Sequence, residues 1–117
     1  MALATRPQRN EPAGAAESDM EANIRAASAL LRAMSNERRL LVLCQLAHGG
    51  EKSVGELEKV VGLSQSALSQ HLARLRRDGL VRTRRSAQTI YYTLASGAVA
   101  AVIDTLYTLY CGASNRD

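Results

Sequence analysis

Between Ser53 and Leu94 the sequence is punctuated so closely that few folds can hold it. Ser53-x-x-Glu56 has the form of a capping box, in which side chain and backbone satisfy each other's open donors. The helix it opens runs only to about Val61 before Gly62 turns the chain. Ser64 then caps a second helix, Gln65 to Asp78, and Gly79 stops it. Two β-favouring runs follow, Leu80–Arg84 and Thr89–Leu94, rich in Val, Thr, Ile and Tyr. Arg85-Ser86-Ala87-Gln88 is left for the tip of a hairpin.

Weaker signals flank this block. Residues 1–17, rich in Ala, Pro, Gly and charge, read as a loose, flexible N-terminal tail, leaving 18–117 as one folded domain. Ser18-x-x-Glu21 resembles a further capping box, opening a helix with Ile24, Ala27, Leu31 and Met34 on one face. Asn36 can cap a helix from Glu37 to His48, ended by Gly49-Gly50, with Leu40, Leu41, Cys44 and Ala47 as its apolar face and Leu43 at one flank. Ser96 can cap a last helix through Tyr110, with Val99, Ile103, Leu106 and Tyr110 on one side. The predicted fold class is mainly α, a winged helix-turn-helix of five helices and a two-stranded hairpin wing.

Charge is concentrated in the same block. Residues 1–61 carry eight Lys or Arg against eight Asp or Glu, whereas residues 62–92 carry six Arg against Asp78 alone. A local cationic excess fits a surface that meets phosphates, although a basic run can also be only a solvated face. On a helical wheel Leu68, Leu72 and Leu75 form the stripe that docks on a core. The opposite arc holds Gln65, Ser66, Ser69, Gln70, Ala73 and Arg77, mostly short or amide side chains that let a helix lie deep in a major groove. Gln can bond adenine through two hydrogen bonds, and Ser can reach a base or a phosphate. Ser64, Gln65, Ser66, Ser69 and Gln70 are therefore candidate DNA contacts. Arg74 and Arg77, with Arg82, Arg84 and Arg85 of the hairpin, suit phosphates or a minor groove. His71, between the two arcs, fits packing or a phosphate contact better than catalysis.

The stretch Val60-Val61-Gly62-Leu63-Ser64-Gln65-Ser66-Ala67-Leu68-Ser69-Gln70-His71-Leu72, continuing through Arg74, Arg77 and Val81, resembles the ArsR-type repressors, as does Asn36-Glu37-Arg38-Arg39-Leu40. The resemblance spans roughly residues 20–111. It implies a homodimer joined by its first and last helices, which binds an inverted repeat of double-stranded operator DNA and leaves it when an inducer binds. Many members carry Gly at the wing tip, where this chain has Ser86-Ala87-Gln88.

Metal-sensing members hold ligands that this chain lacks. The stretch Ser53–Leu57, where one group has a Cys pair, contains no thiol. The last helix, where another group has Asp and His, keeps Asp104 without a His, and one carboxylate cannot hold a transition metal. No metal or cofactor is expected. What remains is Cys44 and Cys111, the chain's two cysteines. Glu37–Cys44 together with Leu106–Cys111 resembles the persulfide-sensing, SqrR/BigR-like branch. That resemblance implies that Cys44 and Cys111 become bridged by added sulfur when persulfides or polysulfides accumulate, controlling sulfide-response genes.

Other readings stay open from the residues themselves. A free Cys is often a small buried apolar group, and Cys111 lies near a helix C-terminus, whose dipole disfavours a thiolate. The repressor could instead answer peroxide or a thiophilic metal, with His48 one turn beyond Cys44 as a further ligand; His48 can equally serve the helix end. Tyr91, Tyr92, Tyr107 and Tyr110 suit packing, and the last two could restrict access to the thiols. An architectural DNA-binding protein with structural cysteines is another alternative. A thiol enzyme such as a sulfurtransferase would be the rival of another class, but Cys-x-x-Cys, a Gly-rich cofactor loop and a Ser/His/Asp set are all missing, so no enzyme is expected. No run approaches the ~20 apolar residues of a membrane span, and no secretory signal opens the chain. A cytoplasmic location is the expectation.

Overall fold

The computed structural model describes residues 13–112. Its element order is α1 (Ala13–Met34), α2 (Glu37–Gly49), β1 (Lys52–Ser53), α3 (Val54–Val61), α4 (Gln65–Arg77), β2 (Val81–Ser86), β3 (Thr89–Leu94) and α5 (Gly97–Tyr107), followed by a π-helical turn, Thr108–Gly112. Of the tail expected over residues 1–17, the first twelve residues lie outside the described part. Helix α1 begins at Ala13, so Ser18 and Glu21 lie inside it and do not cap it. Ala15 and Ala16, strong helix formers, favour extending the helix upstream of that motif.

The other caps form as their side chains dictate. Asn36 Oδ1 accepts from the backbone N–H of Arg38 at 2.9 Å and of Arg39 at 3.0 Å. Ser53 and Glu56 exchange both bonds of the capping box, at 2.8 and 3.2 Å. The bond from the Ser53 N–H is the main reason that the Glu56 carboxyl is held below its ordinary range. Ser64 Oγ accepts from Ala67 N–H at 3.1 Å, and Gly62 takes the left-handed φ of 69° that the turn into α4 requires.

Among the described residues the buried core consists of aliphatic side chains and Met34. Val42, Leu43 and Leu46 of α2 meet Leu57 and Val61 of α3, Leu68, Leu72 and Leu75 of α4, Leu80 and Val81, and Val99 and Ile103 of α5. Each such side chain contributes roughly 1.5–3 kcal/mol on leaving water. The buried face of α2 differs from the expected one: Leu40, Leu41, Cys44 and Ala47 are only half-buried. Leu40 to Cys44 are apolar in succession, so helical spacing allows more than one stripe, and packing against α3 and α4 selects among them. Among the described side chains of α1, Ala33 and Met34 are buried, and Met20, Ile24 and Leu31 are about 60% exposed.

The sheet has three antiparallel strands in the order β1-β3-β2. The expected two-stranded hairpin is joined by β1, whose Lys52 and Ser53 pair with Tyr92 and Tyr91. The turn between β2 and β3 contains two residues, and Ala87 takes φ 56° there, a conformation that favours glycine. Helix α5 stops at Tyr107, short of the expected Tyr110. The wider π turn rotates the residues beyond Tyr107, so Tyr110 is 75% exposed while Val99 and Ile103 are buried. Among the described residues no helix is long and apolar enough to cross a membrane.

Candidate DNA-reading surface and thiol site

Helix α4 is fixed by its leucine stripe, with Leu68, Leu72 and Leu75 fully buried. That anchoring turns Gln65, Ser66, Ser69, Gln70, Ala73 and Arg77 outward, all exposed. Ser64 is exposed too, its hydroxyl engaged in the cap. A concavity of about 540 Å³ separates the start of α4 from the hairpin, with Gln65 and Ser69 on one wall and Gln88, Thr89 and Ile90 on the other. The cleft is open to solvent, and its amides and hydroxyls, which share the lining with Val54, Ile90 and Tyr92, are groups that can meet base edges and phosphates.

The arginines differ in their freedom. Arg74 Nε donates to Asp78 Oδ2 at 2.8 Å, holding that carboxyl below its ordinary range. Arg77 is 71% exposed and lies 3.7 Å from the same carboxylate. Arg82 and Arg84 alternate with Thr83 and Arg85 along β2, so the two pairs lie on opposite sheet faces. Arg85 shares its side with its cross-strand partner Ile90, and Arg84 shares the other with Tyr91. Arg84 grips Glu51 through two bonds and lies over the Tyr91 ring, with 56% of its side chain still open to solvent. His71 is half-buried, and burial followed by the charge of Arg39 pushes its imidazole below the ordinary value.

The two cysteines, 67 positions apart in sequence, come into electrostatic reach where α5 packs on α2. Both are thiols, Cys44 half-buried on α2 and Cys111 exposed in the π turn. Burial is the main cause, and the charge of Cys111 the second, that pushes the Cys44 thiol above its ordinary value. His48 Nδ1 donates to the Cys44 carbonyl at 3.0 Å, since a carbonyl can only accept. Its ring packs against Tyr107 with centroids 4.3 Å apart. Cys44, His48, Tyr107 and Cys111 thus form one neighbourhood at the ends of α2 and α5, while Tyr110 points to solvent. Among the described residues no group of three His, Cys, Asp or Glu could hold a metal ion.

Sequence reasoning missed three charged residues that organise these sites. Arg38 Nη1 donates to the Val61 carbonyl at 3.0 Å, and Arg39 Nε to the Ala33 carbonyl at 2.6 Å. The two arginines thereby satisfy open carbonyls near the ends of α3 and α1. Glu51 is the third. The contacts of Arg38 and Glu51 span 23 and 33 positions, beyond any local motif.

Residues 36–83, from the Asn36 cap to β2, match the family described as bacterial regulatory protein, arsR family. The chain is 59% identical over 96 residues to the transcriptional activator HlyU of Vibrio cholerae, covering 82% of this chain and 88% of that protein. Reduced HlyU from Vibrio cholerae superposes with a TM-score of 0.75 at 60% identity, covering 80% of this chain and 97% of that one. The transcriptional repressor BigR from Xylella fastidiosa does so at 0.73 and 41% identity, covering 81% and 96%. The chain belongs to the ArsR family and is a winged helix-turn-helix, DNA-binding transcriptional regulator, like the relatives it matches.

Proposed function

We propose that this regulator is a homodimeric repressor that leaves its operator when persulfides join Cys44 to Cys111 through added sulfur. The reading is supported by the packing of α5 on α2, which brings the two thiols near enough for the charge of Cys111 to bear on the ionisation of Cys44. Cys111, the exposed thiol, is the accessible first nucleophile. Its thiolate takes the outer sulfur of a persulfide and releases the donor's thiol. Cys44 acquires sulfur in the same way. The Cys44 persulfide then attacks the Cys111 sulfur and expels hydrosulfide, leaving one extra sulfur atom between the two cysteines. A direct disulfide needs Cα atoms within about 7 Å, whereas a longer sulfur bridge accepts a wider pair.

The exposed apolar side chains of α1, Met20, Ile24 and Leu31, with Leu109 and Tyr110 at the other end, supply a surface for a second copy. A two-fold pair would set its two α4 helices one DNA turn apart, about 34–36 Å, to read an inverted repeat through Ser64, Gln65, Ser66, Ser69 and Gln70. Arg74, Arg77, Arg82 and Arg85 would add phosphate contacts. Bridging the cysteines ties α2 to the end of α5 and biases the pair away from that spacing.

The test treats reduced protein separately with glutathione persulfide and hydrogen peroxide, reading intact mass and operator binding together. Extra sulfur linking Cys44 and Cys111, with loss of DNA binding and little response to peroxide, is the expected result. Release by peroxide alone, through a plain disulfide, would make it a general redox repressor. Thiols inert to both would mean structural cysteines and an inducer bound elsewhere.

A further inference from the structure

Arg84 stands among the wing cations, yet its contacts are those of a strut. Its Nε donates to Glu51 Oε2 at 2.8 Å and its Nη2 to Glu51 Oε1 at 2.7 Å, the two-pronged geometry that fixes a guanidinium in plane. The guanidinium carbon also lies 4.8 Å from the centre of the Tyr91 ring, its cross-strand neighbour. Glu51 is equally constrained. It follows the end of α2 at Gly50, where φ is 78°, and precedes Lys52 and Ser53, which pair with Tyr92 and Tyr91. The segment from α2 to α3 is thus attached to the hairpin twice, by the pairing of β1 with β3 and by the grip of Glu51 on Arg84.

We infer that Glu51 and Arg84 form a brace that sets the angle of the wing, making both positioning residues for operator binding and removing Arg84 from the set of phosphate contacts. The brace starts three residues beyond His48, which packs on Tyr107 beside the thiols, so the end of α2 is common to both sites. The Glu51 carboxyl is held below its ordinary range chiefly by the bond from Arg84, as a persistent pair requires. The contact is exposed, with 34% of the Glu51 side chain and 56% of that of Arg84 open to solvent, so its loss should loosen the hairpin without unfolding the chain.

Operator affinity as a function of salt, measured for E51Q, R84Q, R84E and the exchange pair E51R/R84E, separates a brace from a phosphate contact. A brace predicts that E51Q and R84Q weaken binding alike, by up to about fivefold, the range an exposed ion pair can contribute. It also predicts an unchanged salt slope for both, and recovery in the exchanged pair. Hydrogen exchange on the same samples should show faster hairpin amides in the two Gln variants, with α4 amides unchanged. The inference is overturned if R84Q lowers the salt slope by about one, as loss of a phosphate contact would. It is equally overturned if E51Q tightens binding, if neither Gln variant has an effect, or if the exchanged pair stays as weak as R84E.

Discussion

The two ends of this molecule are finished to different degrees. From α3 through the wing, a single chain buries its apolar stripes, caps its helices and, apart from Val60, leaves mainly polar side chains outward. At the other end, the described side chains of α1 include just two buried ones, Ala33 and Met34, and the π turn after α5 leaves Leu109 and Tyr110 in solvent. The DNA-reading half is therefore a completed unit of one chain. The half carrying the thiols has apolar surface still to cover, and in the proposed repressor a second copy covers it. In the proposed repressor, bridging the thiols would act on subunit arrangement while α4 keeps its leucine anchor.

The contrast is sharpest in a pair of leucines. Leu72 is fully buried, so Leu72→Ala should cost about 2–5 kcal/mol in denaturant unfolding, through lost transfer energy and the cavity left behind. Leu31 is 58% exposed in the chain. Leu31→Ala should leave the thermal stability of the separated chain almost unchanged and raise the dimer dissociation constant in sedimentation. Equal loss of chain stability from both would erase the distinction between the two ends.

A smaller effect is expected on the reading face. Gln70→Ala should lower operator affinity by about 1–3 kcal/mol, the worth of a paired base contact, and relax preference at one base pair. Binding titrations against a set of single-base operator variants would read it, with unfolding and thiol reactivity unaltered.

Ala87 occupies a turn position that favours glycine, so Ala87→Gly should stabilise the chain by up to about 1 kcal/mol in thermal unfolding. The smallest effect is expected at the thiols. Because Cys44 holds its proton more tightly than an ordinary thiol, its alkylation should accelerate only at a higher pH than that of a reference peptide thiol. In Cys111→Ser that pH dependence should move only part of the way back, since burial is the larger cause. The sign for stability is the same: the contribution is full below the unfolded pKa and is lost as pH rises through the folded one.

Much of the completed half was legible in the sequence, because its signals are short-range. Ser53-x-x-Glu56, Gly62, Ser64 and Gly79 are punctuation that acts within a few residues, and α4 falls within one residue of its expected bounds. The other half was less so. Ser18-x-x-Glu21 has the spacing of a cap but lies within a helix that starts earlier. Nothing local announces that α5 widens into a π turn at Thr108, or that Lys52 and Ser53 add a third strand. Of the candidate site residues, Gln65, Ser66, Ser69, Gln70 and Arg77 of α4 lie outward as its leucine stripe implied, while Arg74 is half-buried and paired with Asp78. Arg84 is engaged by a partner 33 positions away, which no pattern on β2 contains. In the sequence, Cys44 and Cys111 are linked only by family resemblance, and packing of α5 on α2 is what makes them neighbours.

Operator binding by Cys44→Ser and Cys111→Ser, before and after glutathione persulfide, tests the central claim most directly. Both variants should bind the operator as tightly as the unaltered protein and stay bound after treatment, while the unaltered protein is released. Release of either single-thiol variant by persulfide would contradict a switch that needs both cysteines.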